Sequence, residues 1–141
     1  MQPRLSIAVV GMGGIGGGLA MSLRAADRHD VVACARRPIG QFTLERAEGI
    51  VDLPLRTVTN PSEVDQADWV MVCTKAHHTP SAAPWLARLC GPHTRVAVLQ
   101  NGIDHVARVA PYAGGATVVP TVVYYNGERL AADRVDRKSV V

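Results

Sequence analysis

Ile7-Ala8-Val9-Val10-Gly11-Met12-Gly13-Gly14-Ile15-Gly16 is an apolar, β-branched run that passes straight into Gly-x-Gly-x-x-Gly. Each glycine of that pattern has its own physical reason. Gly11 lets the chain turn sharply off a strand, Gly13 removes the side chain that would block a pyrophosphate, and Gly16 allows a helix to pack tightly on the strand. An anion would then meet N–H groups at a helix N-terminus. Alone, the pattern is also compatible with a flexible turn, since six glycines fall between Gly11 and Gly18.

The residues beyond Gly18 support the first reading. Leu19-Ala20-Met21-Ser22-Leu23-Arg24-Ala25-Ala26 is a good helix former, and Asp30-Val31-Val32-Ala33-Cys34-Ala35 is a second strand-like run. Strand, glycine turn, helix and strand within about 30 residues make a βαβ unit. Gly17 and Gly18 each cost about 1 kcal/mol against alanine in a helix, and the sequence offers no reason for both.

At 141 residues the chain is the size of one domain, large enough for a single buried core. Hydrophobic residues make up 48% and charged residues 19%, which argues for a folded rather than a disordered chain. A net charge of +3, scattered basic residues and only 4% aromatics exclude an evident nucleic-acid surface. The uncharged stretch from Leu5 to Leu23, flanked by Arg4 and Arg24, superficially resembles a signal peptide or membrane span. Its glycines argue against both, so a cytoplasmic protein with no membrane partner is expected. Cys34, Cys73 and Cys90 lack Cys-x-x-Cys spacing and lie in or beside apolar runs, which favours reduced core thiols over disulfides or a metal site.

Further along, after Arg36-Arg37-Pro38 the chain reads as polar and irregular to about Pro54, and Leu55-Arg56-Thr57-Val58-Thr59 as a short strand. Asn60-Pro61-Ser62-Glu63 reads as a helix start, with Glu63 able to complete a capping box. Trp69-Val70-Met71-Val72-Cys73-Thr74 and Arg95-Val96-Ala97-Val98-Leu99 read as buried strands. Between them, Thr79-Pro80 starts a helix that Gly91-Pro92 stops. A short helix over residues 102–110 and a strand over 116–124 complete an alternation that implies a doubly wound α/β domain with a mainly parallel sheet. Pro120 makes that last strand an edge or a bulged one.

Ligands of such sheets bind outside the carboxyl ends of the strands. If the strands beginning at Ser6, Trp69 and Arg95 are neighbours, Gly11, Lys75 and Asn101 share one crevice. Arg36 lies about 20 residues beyond Gly16, where an NAD-selective chain usually carries an acid for the ribose hydroxyl. No acid occurs between Val31 and Phe42. A guanidinium there favours the 2′-phosphate of NADP(H). Lys75 is read either as a rim cation for phosphate or substrate, or as a solvated loop lysine. Asn101 is read either as a ligand contact or as a turn or cap residue. His77 and His78 are adjacent, so in a helix or strand their side chains would diverge, and no acid or cysteine cluster stands by them at metal-ligand spacing.

Three separated motifs resemble the ketopantoate reductase (2-dehydropantoate 2-reductase) family: Gly11-Met12-Gly13-Gly14-Ile15-Gly16, Val72-Cys73-Thr74-Lys75-Ala76 and Leu99-Gln100-Asn101-Gly102-Ile103. Arg36 matches that family's NADP-selecting position. The resemblance implies a single Rossmann-like N-terminal domain that binds NADP(H) through Gly11, Met12, Gly13, Gly14, Ile15, Gly16 and Arg36. It also implies that Lys75 and Asn101 line the nicotinamide side and that Asn101 meets the 2-oxo acid substrate. Hydride transfer from NADPH to the ketone of 2-dehydropantoate would give pantoate, for pantothenate and coenzyme A synthesis. The family's helical C-terminal domain, with its principal catalytic lysine and a substrate-binding glutamate, is absent from this sequence, so no catalytic residue is assigned. Residues 1–127 are expected to form the cofactor domain and 128–141 a charged tail or the start of a missing region. Self-association through exposed apolar surface is also expected. The alternatives are a non-catalytic NADP(H)-binding regulatory module and a reductase of another 2-oxo acid.

Overall fold

The computed structural model describes residues 3–123, 126–131 and 133–138. The opening strand β1 (Ser6–Val10) enters helix α1 (Gly14–Ala26), which is followed by β2 (Asp30–Cys34). A hairpin of β3 (Gln41–Arg46) and β4 (Gly49–Pro54) precedes the short β5 (Thr57–Val58). Then come β6 (Trp69–Val72), α2 (Ala83–Leu89), β7 (Arg95–Val98), α3 (His105–Val109) and β8 (Thr117–Pro120). Strands β9 (Asn126–Ala131) and β10 (Arg134–Lys138) end the described chain.

Six strands form one sheet in the order β5-β2-β1-β6-β7-β8, every pair parallel. This is the doubly wound arrangement expected from the alternating elements, with β1, β6 and β7 adjacent as a shared crevice requires. Alternation along β1 divides the core. Ala8 and Val10 face a cluster with Val70, Val72, Leu86, Leu89, Val96 and Val98, whereas Val9 faces one with Met21, Phe42, Leu44 and Val135. Pro120 ends β8 at the sheet's edge, where a missing N–H is tolerated. The expected strand's last residue, Tyr124, lies outside the described residues, as does Tyr125.

The polar stretch before Pro54 and the charged segment after Gly127 both depart from expectation. Residues 41–54 form the β3–β4 hairpin, and β9 and β10 join it in a second sheet ordered β4-β3-β10-β9. The segment read as a tail thus supplies two strands, and Val135 is fully buried against β3's Phe42 and Leu44. Ala132 and residues 139–141 of that segment lie outside the described residues. Single apolar residues in alternation with charges, as in Arg134-Val135-Asp136, are what a one-sided strand needs and what composition alone disguises.

Helix α1 lies between the two sheets and packs on β2, β3, β4, β9 and β10. Gly16, Gly17, Gly18, Ala20 and Met21 are all buried there, and the position explains Gly17 in particular. A Cβ built on Gly17 would stand 2.8 Å from Val135 Cγ1 and 3.0 Å from Phe42 Cζ. The second sheet therefore requires the small residue that helix propensity disfavours.

Smaller boundaries also shift. Residues 61–63 make one 3-10 turn, in which Asn60 Oδ1 accepts the Ser62 N–H at 3.0 Å rather than pairing reciprocally with Glu63. The segment after β6 is a 3-10 turn over Ala76–Ala82 that leads into α2, and α3 begins only at His105. At the amino edge of the main sheet, the Asp68 carboxylate accepts the Ser6 N–H at 2.8 Å and ties β1 to β6, while Arg4 bridges Asp27 and Asp30. No helix among the described residues is long and apolar enough to cross a membrane.

Because Val135 and Phe42 leave no room above Gly17, Gly17→Val should destabilise the fold by about 1–3 kcal/mol through overpacking, despite valine's better helix propensity. Urea denaturation followed by circular dichroism reads this directly. An unchanged or higher midpoint would show that the second sheet does not press on α1.

Candidate functional site at the carboxyl edge of the main sheet

The glycine elbow is set by contact with its neighbours. Gly11 adopts φ +98°, a conformation that L side chains rarely take, and a Cβ there would lie 2.7 Å from the Thr74 backbone nitrogen. A Cβ on Gly16 would overlap the Gly11 carbonyl oxygen at 1.8 Å and stand 3.0 Å from the Cys73 Cβ. Helix α1 thus seats directly on the turn and on the exit of β6. Gly13 differs: nothing lies within 4 Å of its built Cβ, so the space above it is open. No side chain caps α1 and its first turn holds no acid, leaving a helix start electrostatically disposed toward an anion. Met12 is buried in the core beneath, and Gly14 and Ile15 form the first turn.

From this elbow a row of contacts runs across the strand exits. Gly11 abuts Thr74, the residue before Lys75. The Thr74 hydroxyl accepts a hydrogen bond from Gln100 Nε2 at 3.1 Å, and Gln100 precedes Asn101. The same Gln100 amide donates to Thr79 Oγ1 at 3.0 Å, and its Oε1 accepts from Arg108 Nη1 at 3.0 Å. Arg108 is held in turn by Asp104 at 2.6 Å. Gln100 is buried and each of its amide atoms is engaged, so the β6 and β7 exits are locked to one another. Gly11, Lys75 and Asn101 accordingly rise side by side from β1, β6 and β7.

Lys75 and Asn101 are both exposed at the rim. Lys75 opens the 3-10 turn over Ala76–Ala82, and Asp104, not Asn101, occupies the cap position of α3. Arg36 is exposed just past the end of β2, on the other side of β1. Among the described residues neither Arg36 nor Lys75 has an ion-pair partner, in contrast to Arg4, Arg108 and Arg134, the last of which pairs with Glu45. Burial pushes the thiols of Cys73 and Cys34 up to about 12, so both stay protonated near neutrality and act as packing groups. A cavity of about 210 Å³ lined by Ser6, Asp30, Arg56 and Glu63 opens at the opposite, amino-terminal edge and is separate from this crevice.

The supporting set of Thr74, Thr79, Gln100, Asp104 and Arg108 was not singled out from the sequence. Only one signal could have found it: Gln100, a polar residue continuing the apolar β7 run, which must find partners if it stays buried.

These features define a Rossmann-like α/β domain whose carboxyl edge carries a glycine elbow and cations without an ion-pair partner among the described residues. The family model described as ketopantoate reductase PanE/ApbA matches residues 7–139. The chain is 40% identical over 130 residues to a 2-dehydropantoate 2-reductase of Caulobacter vibrioides, covering 92% of this chain and 45% of that protein. It is 38% identical over 125 residues to the enzyme of that name from Mycobacterium tuberculosis, covering 86% and 42%. Among solved structures, a 2-dehydropantoate 2-reductase from Geobacter metallireducens superposes with a TM-score of 0.88 at 22% identity, covering 96% of this chain and 47% of that one. The chain therefore belongs to the ketopantoate reductase family, and it spans less than half the length of the relatives it matches.

The two flanking glycines should respond oppositely to alanine. Gly16→Ala, whose Cβ meets a backbone oxygen, should lower stability by about 1–3 kcal/mol, whereas Gly13→Ala should stay within about 1 kcal/mol of the parent. Thermal unfolding of the two variants side by side checks this. Equal losses would contradict the contact that seats α1 on the elbow.

Proposed function

We propose that this chain is the cofactor-binding half of an NADPH-dependent 2-dehydropantoate 2-reductase, and that the complete protein reduces the ketone of 2-dehydropantoate to pantoate. The observation that supports it best is the contiguous row Gly11–Thr74–Gln100, which sets the elbow beside Lys75 and Asn101. The residues fit the group: the open space above Gly13 is where a side chain would exclude a diphosphate, and α1 begins there without a capping side chain. In this reading Gly11, Met12, Gly13, Gly14, Ile15 and Gly16 hold the diphosphate and Arg36 the 2′-phosphate.

When bound, NADPH supplies the hydride. The chain's own part is to orient and to donate. Reduction of a ketone builds negative charge on its oxygen, so donors must face it. Lys75 offers an ammonium and Asn101 an amide at the rim, both with capacity to spare, and Asn101 is also the substrate contact. The Thr74–Gln100–Arg108 network fixes the strand exits that carry them. No proton donor is assigned within this chain. A cytoplasmic location suits this role, and exposed Ile103, Val106 and Val122 suit association with a second body, including another copy.

Following NADPH oxidation with 2-dehydropantoate, for this chain and for a form extended by the helical domain, tests the assignment. Turnover by the extended form is expected. Tight NADPH binding without turnover in either form would favour a binding module, and turnover only with a different 2-oxo acid would replace the substrate. Arg36→Ala should weaken NADPH by about 1.5–3 kcal/mol, or roughly 10–150-fold, and leave NADH nearly unchanged. Fluorescence titration with the two cofactors reads the difference, and equal losses would remove Arg36 from the phosphate site.

A further inference from the structure

Asn101 stands on a segment that main-chain bonding does not hold. Among the described residues, no backbone N–H or carbonyl of residues 100–103 bonds to another backbone group, and α3 begins only at His105. Residues 101–103 are irregular and exposed, with Gly102 at φ +117° and Ile103 wholly in solvent. Such a stretch keeps one shape only if side chains restrain it.

One side chain of α3 does so. Arg108 Nη1 donates to Gln100 Oε1 at 3.0 Å, and Nη2 donates to Asp104 Oδ1 at 2.6 Å. The guanidinium also lies against Gly102, where a Cβ would stand 2.7 Å from Nη2. A single planar group thus meets residues 100, 102 and 104, on both sides of Asn101. Only 18% of the Arg108 side chain is exposed, so water competes weakly for the fork. Gln100 passes the restraint on: its Nε2 donates to the hydroxyls of Thr74 and Thr79 at 3.1 and 3.0 Å, and those two residues bracket Lys75.

We propose that Arg108 is a positioning residue for ketone reduction, fixing Asn101 on the β7 exit in one geometry relative to Lys75 on the β6 exit. In the reductase reading above, on which this role rests, those two residues face the substrate. Both terminal nitrogens of Arg108 are engaged by Gln100 and Asp104, so it acts through Asn101. The role depends on a fork rather than on charge, because a lysine has one nitrogen and cannot span the amide and the carboxylate together. Its loss affects the substrate more than the cofactor, whose phosphates are assigned to the elbow and Arg36.

The test compares the parent with Arg108→Lys, Arg108→Ala and Asp104→Asn in the form extended by a helical domain, measuring kcat and KM for 2-dehydropantoate and the affinity for NADPH. Arg108→Lys and Arg108→Ala should both lower kcat/KM by about 10–100-fold with NADPH affinity unchanged. Asp104→Asn alters an exposed carboxyl, spares the Gln100 bond and should show a smaller loss in the same direction. On the chain itself, 15N relaxation reads the restraint without turnover. Order parameters of residues 101–103, near the rigid-backbone value of about 0.85 in the parent, should fall below about 0.6 in Arg108→Ala and also drop in Arg108→Lys. Full activity in Arg108→Lys, NADPH affinity that falls in parallel with kcat/KM, or unchanged order parameters in both Arg108 variants overturns the positioning role while leaving the reductase reading intact. A parent that binds NADPH but never turns over 2-dehydropantoate overturns that reading and the catalytic role with it, whatever the relaxation data show.

Discussion

The close seating of α1 on the β1 elbow and on the β6 exit is the constraint on which the rest of the molecule depends. With 1.8 Å between a hypothetical Gly16 Cβ and the Gly11 oxygen, a side chain at this point would push the helix off its strand. Two consequences result. The helix start comes to lie over the sheet's carboxyl edge, where its dipole acts on the crevice. Its opposite face stays close enough for the second sheet to pack on Gly17, so the same small residues serve one contact on each side.

Charge is distributed unequally along the strands. At the amino edge, Asp27, Asp30 and Asp68 are engaged by Arg4 and the Ser6 amide, and they tie β1 to its neighbours. At the carboxyl edge, Arg36 and Lys75 have no such partner among the described residues. An unpaired cation at the surface costs little in water, yet it attracts an anion strongly once a ligand excludes that water. Arg108 at the carboxyl edge is held by Asp104, so Arg36 and Lys75 stand apart there as cations without an ion-pair partner among the described residues.

The main sheet was legible because its strands are covered on both faces and so appear as nearly continuous apolar runs, Trp69–Val72 and Arg95–Val98 among them. The second sheet was not. Its strands bury one face only, and Phe42, Leu44 and Val135 stand singly among polar neighbours. In addition, β10 pairs in parallel with β3 across most of the chain's length, a register that no local pattern announces. The glycine elbow was readable for the complementary reason, since each position is dictated by backbone geometry within a few residues.

The sequence by itself determined the doubly wound class, the elbow at Gly11 to Gly16 and the exits that carry Arg36, Lys75 and Asn101, because these depend on local periodicity and on where side chains are forbidden. Only tertiary structure decided that β9 and β10 complete a second sheet, that Gly17 is required by Val135 and Phe42, and that Gln100 locks the β6 and β7 exits. Those outcomes depend on which distant segments share a face, and a contact between remote side chains leaves no periodic trace in either segment.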